Sequence, residues 1–291
     1  MSMKNDNRKI VVVVGPTASG KSGLAIKIAK KIKGEIISAD SRQVYKGLDI
    51  GTGKITKKEM VGIPHHLLDV ADPKRIFTVT RYRKLALRAI QGIWKRGKTP
   101  ILCGGTGFYI QSVIDGINIP NVKPNPKLRK KLINKSAGEL FQQLKKKDPK
   151  RARTIDPRNK VRLVRALEII QALGSVPERE MKSIDAEVFM IGIKRSGDEL
   201  KRLIHKRLIK RLNNGMVEEV QKLHINGLSW NRLRDLGLEY RYIALFLQNK
   251  ITKQELIETL DKEIRHYAKR QITWFKKDKR INWITNTNPV P

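Results

Sequence analysis

Residues 15–22 read Gly15, Pro16, Thr17, Ala18, Ser19, Gly20, Lys21 and Ser22. This is a Gly-x-x-x-x-Gly-Lys-Ser spacing set between an apolar run at 10–14 and a helical pattern that begins near Gly20. In that context the glycines let the backbone wrap a phosphate chain, successive N–H groups and the helix N-terminus face the anion, Lys21 adds a cation, and the Ser22 hydroxyl is placed to ligate Mg²⁺. The stretch predicts a parallel β-sheet flanked by helices, of the P-loop NTPase-like α/β kind, that handles a phosphorylated ligand.

Outward from this loop the same texture repeats. Residues 35–38 and 101–103 are short apolar runs with polar or glycine-rich flanks, as buried parallel strands are, while 24–33 and 81–96 carry helical spacing. Ligands of such sheets gather at the carboxyl ends of the strands. There the sequence places the phosphate loop, Asp40 and the run Gly104-Gly-Thr106-Gly107. Prolines 120, 124 and 126 open a different segment, rich in Lys and Arg and with helical patterns only, which predicts a helical insertion over 119–187. A further buried strand is expected at 188–193, then a basic helix from Asp198 to about Asn213 and a helical C-terminal part. The core domain is therefore expected to comprise 1–118 and 188–291.

The 291 residues carry 62 Lys and Arg against 27 Asp and Glu, a formal charge of +35. Such an excess points to a polyanionic partner, nucleic acid first; solvated lysine-rich faces are the competing explanation for runs such as 145–147 and 276–279. No apolar run approaches the roughly 18 residues a membrane helix needs, and the first nine residues lack an apolar signal region. A cytoplasmic protein, expected as a monomer and with no membrane or protein partner implied, follows. Cys103 is the single cysteine, which leaves neither an internal disulfide nor a cysteine zinc site, and it reads as a small core residue.

For chemistry, the strand ending at Cys103 continues into glycines rather than the acidic residue by which phosphate-loop ATPases and GTPases hold Mg²⁺. Asp40 is the nearest acidic strand end, able to bind Mg²⁺ or to act as a general base. Beside it Ser41 and Gln43 offer hydrogen bonds to a base edge, and Arg42 can reach a phosphate or stack. Arg207 and Arg211, one helical turn apart, are candidates for a clamp on leaving phosphates. Adjacent His65 and His66 match no common metal spacing. The stripe Ile257, Leu260, Ile264, Tyr267, Gln271 and Trp274 reads as core packing.

Six ordered motifs complete the pattern: residues 15–22; Asp40-Ser-Arg-Gln-Val-Tyr-Lys-Gly-Leu-Asp-Ile-Gly-Thr52; His65-His-Leu-Leu-Asp-Val70; Gly104-Gly-Thr-Gly-Phe-Tyr109; Arg165-Ala-Leu-Glu168; and Ala268-Lys-Arg-Gln-Ile-Thr-Trp274. Together they resemble the tRNA dimethylallyltransferase family in its bacterial form, over most of the chain. The resemblance implies transfer of a dimethylallyl group from dimethylallyl diphosphate, with Mg²⁺, to the exocyclic amine of the adenine 3′ of the anticodon in tRNA, the base being flipped into the site. It implies that Asp40 is the general base and that Gly15, Pro16, Thr17, Ala18, Ser19, Gly20, Lys21 and Ser22 hold the diphosphate. Thr106, Arg211 and Lys21 would act on the leaving group, with Ser22 as the protein ligand of Mg²⁺. Asp40, Ser41, Arg42, Gln43, Thr106, Arg129, Val161, Arg162, Leu163, Val164 and Arg165 would contact the anticodon stem-loop, the helical insertion being a mobile RNA-binding domain. Two stretches depart from the family pattern: Gly237-Leu-Glu-Tyr-Arg241 stands for the commoner Gly-Tyr-Lys-Glu, and Thr52-Gly-Lys-Ile55 for Thr-Ala-Lys-Pro. The alternatives are an adenylate prenyltransferase, a P-loop nucleotide kinase or RNA-dependent ATPase with an ATP-binding loop, and a non-catalytic RNA-binding module.

Overall fold

The computed structural model describes residues 8–117, 119–178 and 181–285, which form two compact units, Met1–Asp115 with Ser183–Pro291 and Gly116–Lys182. In the larger unit the chain runs β1 (Lys9–Val14), α1 (Lys21–Ile32), β2 (Gly34–Ser38), α2 (Lys57–Met60), β3 (His65–His66), α3 (Val79–Lys95), β4 (Thr99–Cys103) and α4 (Gly107–Ile114). The helical unit holds α5 (Pro126–Leu132), α6 (Ala137–Lys147), α7 (Pro149–Ala152) and α8 (Lys160–Leu173). The chain then returns to the first unit with β5 (Glu187–Lys194), α9 (Gly197–Asn213), α10 (Met216–Ile225), α11 (Trp230–Leu236), α12 (Leu238–Leu247), α13 (Lys253–Phe275) and β6 (Ile281–Thr285).

The six strands pair in parallel in the order β3-β2-β4-β1-β5-β6. The middle strands are buried on both faces: Val12, Val13 and Val14 of β1 and Ile101 and Leu102 of β4 have no exposed surface. Such near-continuous β-branched runs are what a helix-covered parallel sheet selects. One face packs on α1 through Ala25, Ile26 and Ala29, and the other on a larger core shared with α3, α4 and the C-terminal helices. In α13 the buried line is Leu256, Leu260, Ile264, Ala268, Gln271 and Phe275, so the helix is rotated slightly from the stripe the sequence predicts, and Tyr267 and Trp274 lie at its edges. The sheet also has two strands the sequence does not announce, the two-residue β3 and the edge strand β6.

At the amino end of the sheet Glu35, almost wholly buried, receives hydrogen bonds from His66 (2.7 Å), Arg96 (2.7 Å) and Lys98 (2.9 Å). Burial alone would raise its pKa, but these hydrogen bonds outweigh it and hold the carboxyl at about 2. His66 is thus a structural partner at the end of the sheet away from the phosphate loop.

The helical unit has its own core of Leu132, Leu140, Leu144, Leu163, Leu167 and Ile170. Glu168, fully buried, ties it together: it takes a two-pronged contact from Arg129 (2.6 and 2.9 Å), a contact from Arg165 (3.1 Å) and the Asn125 N–H (2.9 Å). An isolated bridge, Ile117 to Met181, joins the ends of this segment.

Candidate active site

The carboxyl ends of β1, β2 and β4 are laced together by main-chain bonds. Ala39 N–H donates to the Cys103 carbonyl (2.8 Å), Gly104 N–H to Val13 (3.2 Å) and Thr106 N–H to Ala39 (3.1 Å). Gly104 is required there, since a Cβ at that position would lie 2.2 Å from the Ala39 carbonyl oxygen. The three loops that follow these strands therefore meet: the phosphate loop, residues 40–43, and residues 104–107.

Within this crevice Lys21, the first residue of α1, donates to the Pro16 carbonyl across its own loop (2.5 Å). Desolvation lowers its pKa to about 8, with Arg207 pushing the same way and Cys103 and Asp40 opposing. The sign of the pH effect follows from these neighbours. Lys21 loses its proton as pH rises through about 8, and a phosphate anion on the loop would raise that pKa again, so above pH 8 such binding would take up a proton. Diphosphate affinity is expected to fall by up to about tenfold per pH unit above 8, read by calorimetry from about pH 6.5 to 9.5. An affinity flat across that range, once the diphosphate's own ionisation is allowed for, would contradict this protonation scheme. Cys103, next to Lys21, is buried and its thiol is pushed up to about 11, which leaves it an inert packing group.

Asp40 uses Oδ1 to accept the N–H groups of Arg42 (2.8 Å) and Gln43 (3.3 Å), while among the described residues Oδ2 carries no hydrogen bond. One oxygen shapes the turn and the other is free for a proton. Thr106 accepts the Ser41 N–H at 3.0 Å, so its hydroxyl sits between the two loops. The Gln43 amide is already engaged, with Ser38 Oγ (3.3 Å) and the Gly53 carbonyl (3.3 Å).

Helix α9 delivers both arginines. Arg207 reaches Thr17 Oγ1 of the phosphate loop (3.3 Å) and the Gly53 carbonyl (3.4 Å); Arg211 reaches the Gly51 carbonyl (3.3 Å) and Glu239 (3.0 Å). Burial first, and Arg211 next, push Arg207 below its usual range. The loop at 49–51 is itself held by Glu219, which accepts the N–H groups of Asp49, Ile50 and Gly51 (2.9, 2.6 and 3.0 Å) and the Tyr240 hydroxyl (2.8 Å). The unusual stretch at 237–241 thus contributes two side chains, Glu239 and Tyr240, to the support of this loop and its arginine.

Gln271 is the residue whose role sequence reasoning missed. Buried on α13, it accepts the Thr17 N–H with Oε1 (2.8 Å) and donates Nε2 to the Gly105 carbonyl (2.9 Å), so one side chain ties the phosphate loop to the loop of Thr106. The signal was a polar residue inside an otherwise apolar helical stripe. Gln271→Leu is expected to destabilise the protein by about 1–3 kcal/mol, because it strands the buried Gly105 carbonyl and the half-buried Thr17 N–H. Diphosphate binding is expected to weaken with it, and retention of wild-type stability and affinity in thermal melts and calorimetry would show that the clamp is dispensable.

Ser22 is exposed at the head of α1. Among the described residues no group of three or more His, Cys, Asp or Glu is placed to hold a metal by itself. The donors present, a serine hydroxyl with the Asp40 carboxylate in the same crevice, are hard oxygens that suit Mg²⁺ shared with substrate phosphates.

On the helical unit, Val161 (79% exposed) and Arg162 lie on the surface, and Arg129 and Arg165 keep 47% and 32% of their side chains exposed while paired to Glu168. The Leu163 side chain is fully buried in the core of that unit, which leaves its main chain as the part that an RNA contact of the 161–165 segment would use. A half-buried Val164 flanks it.

A parallel sheet with a phosphate loop, two convergent arginines and an aspartate at its carboxyl edge defines a P-loop-like α/β protein built to act on a phosphorylated substrate. The family model described as IPP transferase matches residues 43–278, and the chain belongs to that family. It is 41% identical over 279 residues to tRNA dimethylallyltransferase 2 of Trichlorobacter lovleyi (94% of this chain, 91% of the relative), and 40% identical to the tRNA dimethylallyltransferase of Anoxybacillus flavithermus (96% and 91%). Among solved structures it resembles the full-length tRNA isopentenylpyrophosphate transferase of Bacillus halodurans, with TM-score 0.72, 37% identity and coverage of 96% and 90%. It also resembles a eukaryotic dimethylallyltransferase caught acting on tRNA, with TM-score 0.81, 27% identity and coverage of 96% and 74%.

Proposed function

We propose that the protein transfers the dimethylallyl group of dimethylallyl diphosphate to the exocyclic amine of an adenine in the anticodon loop of tRNA. The observation that carries this reading is the meeting of Asp40, with one free carboxylate oxygen, and a cluster of cations on the phosphate loop at a strand edge that has no acidic residue after β4. A hydrolase of nucleoside triphosphates needs that acidic residue; release of a diphosphate from an allylic carbon needs only anion stabilisation.

In the reaction the adenine nitrogen attacks the allylic carbon as the carbon–oxygen bond to diphosphate breaks, and the electron pair leaves with the bridging oxygen. Asp40 Oδ2 takes the proton released by the amine. Lys21 and Arg211, with the Thr106 hydroxyl, meet the negative charge as it develops, and Arg207, fixed on Thr17, keeps the phosphate loop in register. Mg²⁺ held by Ser22 would add charge neutralisation on the diphosphate. Ser41, Arg42 and Gln43, on the loop beside Asp40, would contact the flipped base. Surface positions 161 and 162, together with Arg129, Val164 and Arg165, would supply contacts of the helical unit to RNA.

The net charge of +35 fits a tRNA acceptor better than a free nucleotide. Affinity for unmodified tRNA is expected to fall by ~10³ to 10⁵ between low and moderate salt if six to ten phosphates are neutralised. Tight binding with a flat salt response, or transfer to AMP in preference to tRNA, would contradict the tRNA reading.

A further inference from the structure

Arg207 and Arg211 bring two guanidinium groups to one point. A Cβ built on Gly53 would lie 2.1 Å from Arg207 Nη2 and 2.0 Å from Arg211 Nη2, so both groups close around that glycine, whose φ of +57° belongs to the left-handed region. Two like charges held this close in a partly desolvated space repel strongly. The carboxylate beside them is Glu239, whose Oε1 is 3.0 Å from Arg211 Nη1, with only 14% of its side chain and 11% of that of Arg211 exposed. Glu239 stands at the second position of α12, which is packed against α11 and α13, so its place is fixed by the fold and not by a wandering surface rotamer.

A diphosphate arriving at the phosphate loop carries the same sign as Glu239 and needs the same guanidinium. We propose that Glu239 is a built-in counter-ion: it holds Arg211 in the empty site and gives way to the diphosphate, and so it sets how tightly donor and product are held. Glu239 is a positioning residue in this scheme, acting through Arg211. The inference rests on the reading of the crevice as a diphosphate site. Its physical content is a trade of stability against affinity. With the carboxylate in place Arg211 has its counter-charge before any ligand arrives, and the diphosphate binds against a competitor.

The test is Glu239→Gln, which keeps shape and hydrogen bonding and removes the charge. Inorganic diphosphate is the probe, with calorimetry and thermal melts of the full chain as readouts. The empty variant is expected to melt below wild type, to bind diphosphate on the order of tenfold more tightly, and to gain about 1.4 kcal/mol more stabilisation from saturating diphosphate than wild type does. A residue that merely braced the fold would lower the melting temperature with no gain in affinity. If the variant is too unstable to purify alone, excess diphosphate in the buffers is expected to recover it, because the ligand supplies the missing charge; insolubility with diphosphate present would overturn the proposal. Equal or weaker diphosphate binding by the variant, with wild type binding normally, overturns the counter-ion role and leaves the site assignment standing. Failure of both proteins to bind diphosphate removes the site assignment and the counter-ion role together.

Discussion

Asp40→Asn is expected to slow dimethylallyl transfer by ~10²- to 10⁴-fold, the range over which a positioned base acts. The asparagine keeps an Oδ1 acceptor for the Arg42 and Gln43 N–H groups, so the turn after β2 survives and the loss falls on the proton transfer alone. Diphosphate affinity measured without Mg²⁺ should not fall, because the asparagine keeps the turn and removes a like charge from the neighbourhood of Lys21. Single-turnover kinetics with tRNA and donor, set beside calorimetry with diphosphate, separate the two. Undiminished turnover in this variant would remove Asp40 from the chemistry.

Arg211→Gln is expected to lower the transfer rate by ~10²- to 10³-fold, the cost of removing one preorganised donor aimed at a developing oxyanion. Unlike the Asp40 variant it should also weaken diphosphate binding, since in the proposed reaction the guanidinium would meet donor and leaving group alike. Arg211→Lys should recover little, because a single ammonium cannot span the Gly51 carbonyl and the diphosphate as a planar fork does. The change also leaves Glu239 buried without its partner, so stability should fall, and adding Glu239→Gln should restore stability but not activity. A double variant as active as wild type would show that Arg211 serves the fold only.

The central sheet could be read from the sequence where burial on both faces writes a β-branched run, as in 10–14 and 101–103. It could not be read in β3, whose two residues are histidines placed by pairing with β2, or in β6, whose edge position leaves Ile284 exposed and breaks the alternation. The phosphate loop is a local structure, and local sequence specifies it. Asp40 was legible as a strand-end acid, but its second job, capping its own turn, needs the backbone to be seen. Long-range side-chain pairs were the least legible part. Gln271 bridges residues 254 and 166 positions away, and Glu239 meets Arg211 only because α12 and α9 come together. Spacing within one helix says nothing of such partners. Arg129 and Arg165, which the resemblance implies as RNA contacts, also satisfy the buried Glu168, one of them from the adjacent helix α5, and nothing in the local sequence announces that pairing.

The most direct measurement is to incubate the protein with Mg²⁺, dimethylallyl diphosphate and unmodified tRNA, digest the tRNA and analyse the nucleosides by mass spectrometry. Adenosine carrying one added dimethylallyl group, from the position 3′ of the anticodon, with release of one diphosphate per modified base, is the predicted result. Folded protein that binds tRNA and diphosphate but yields only unmodified adenosine, or that instead consumes ATP, would contradict it.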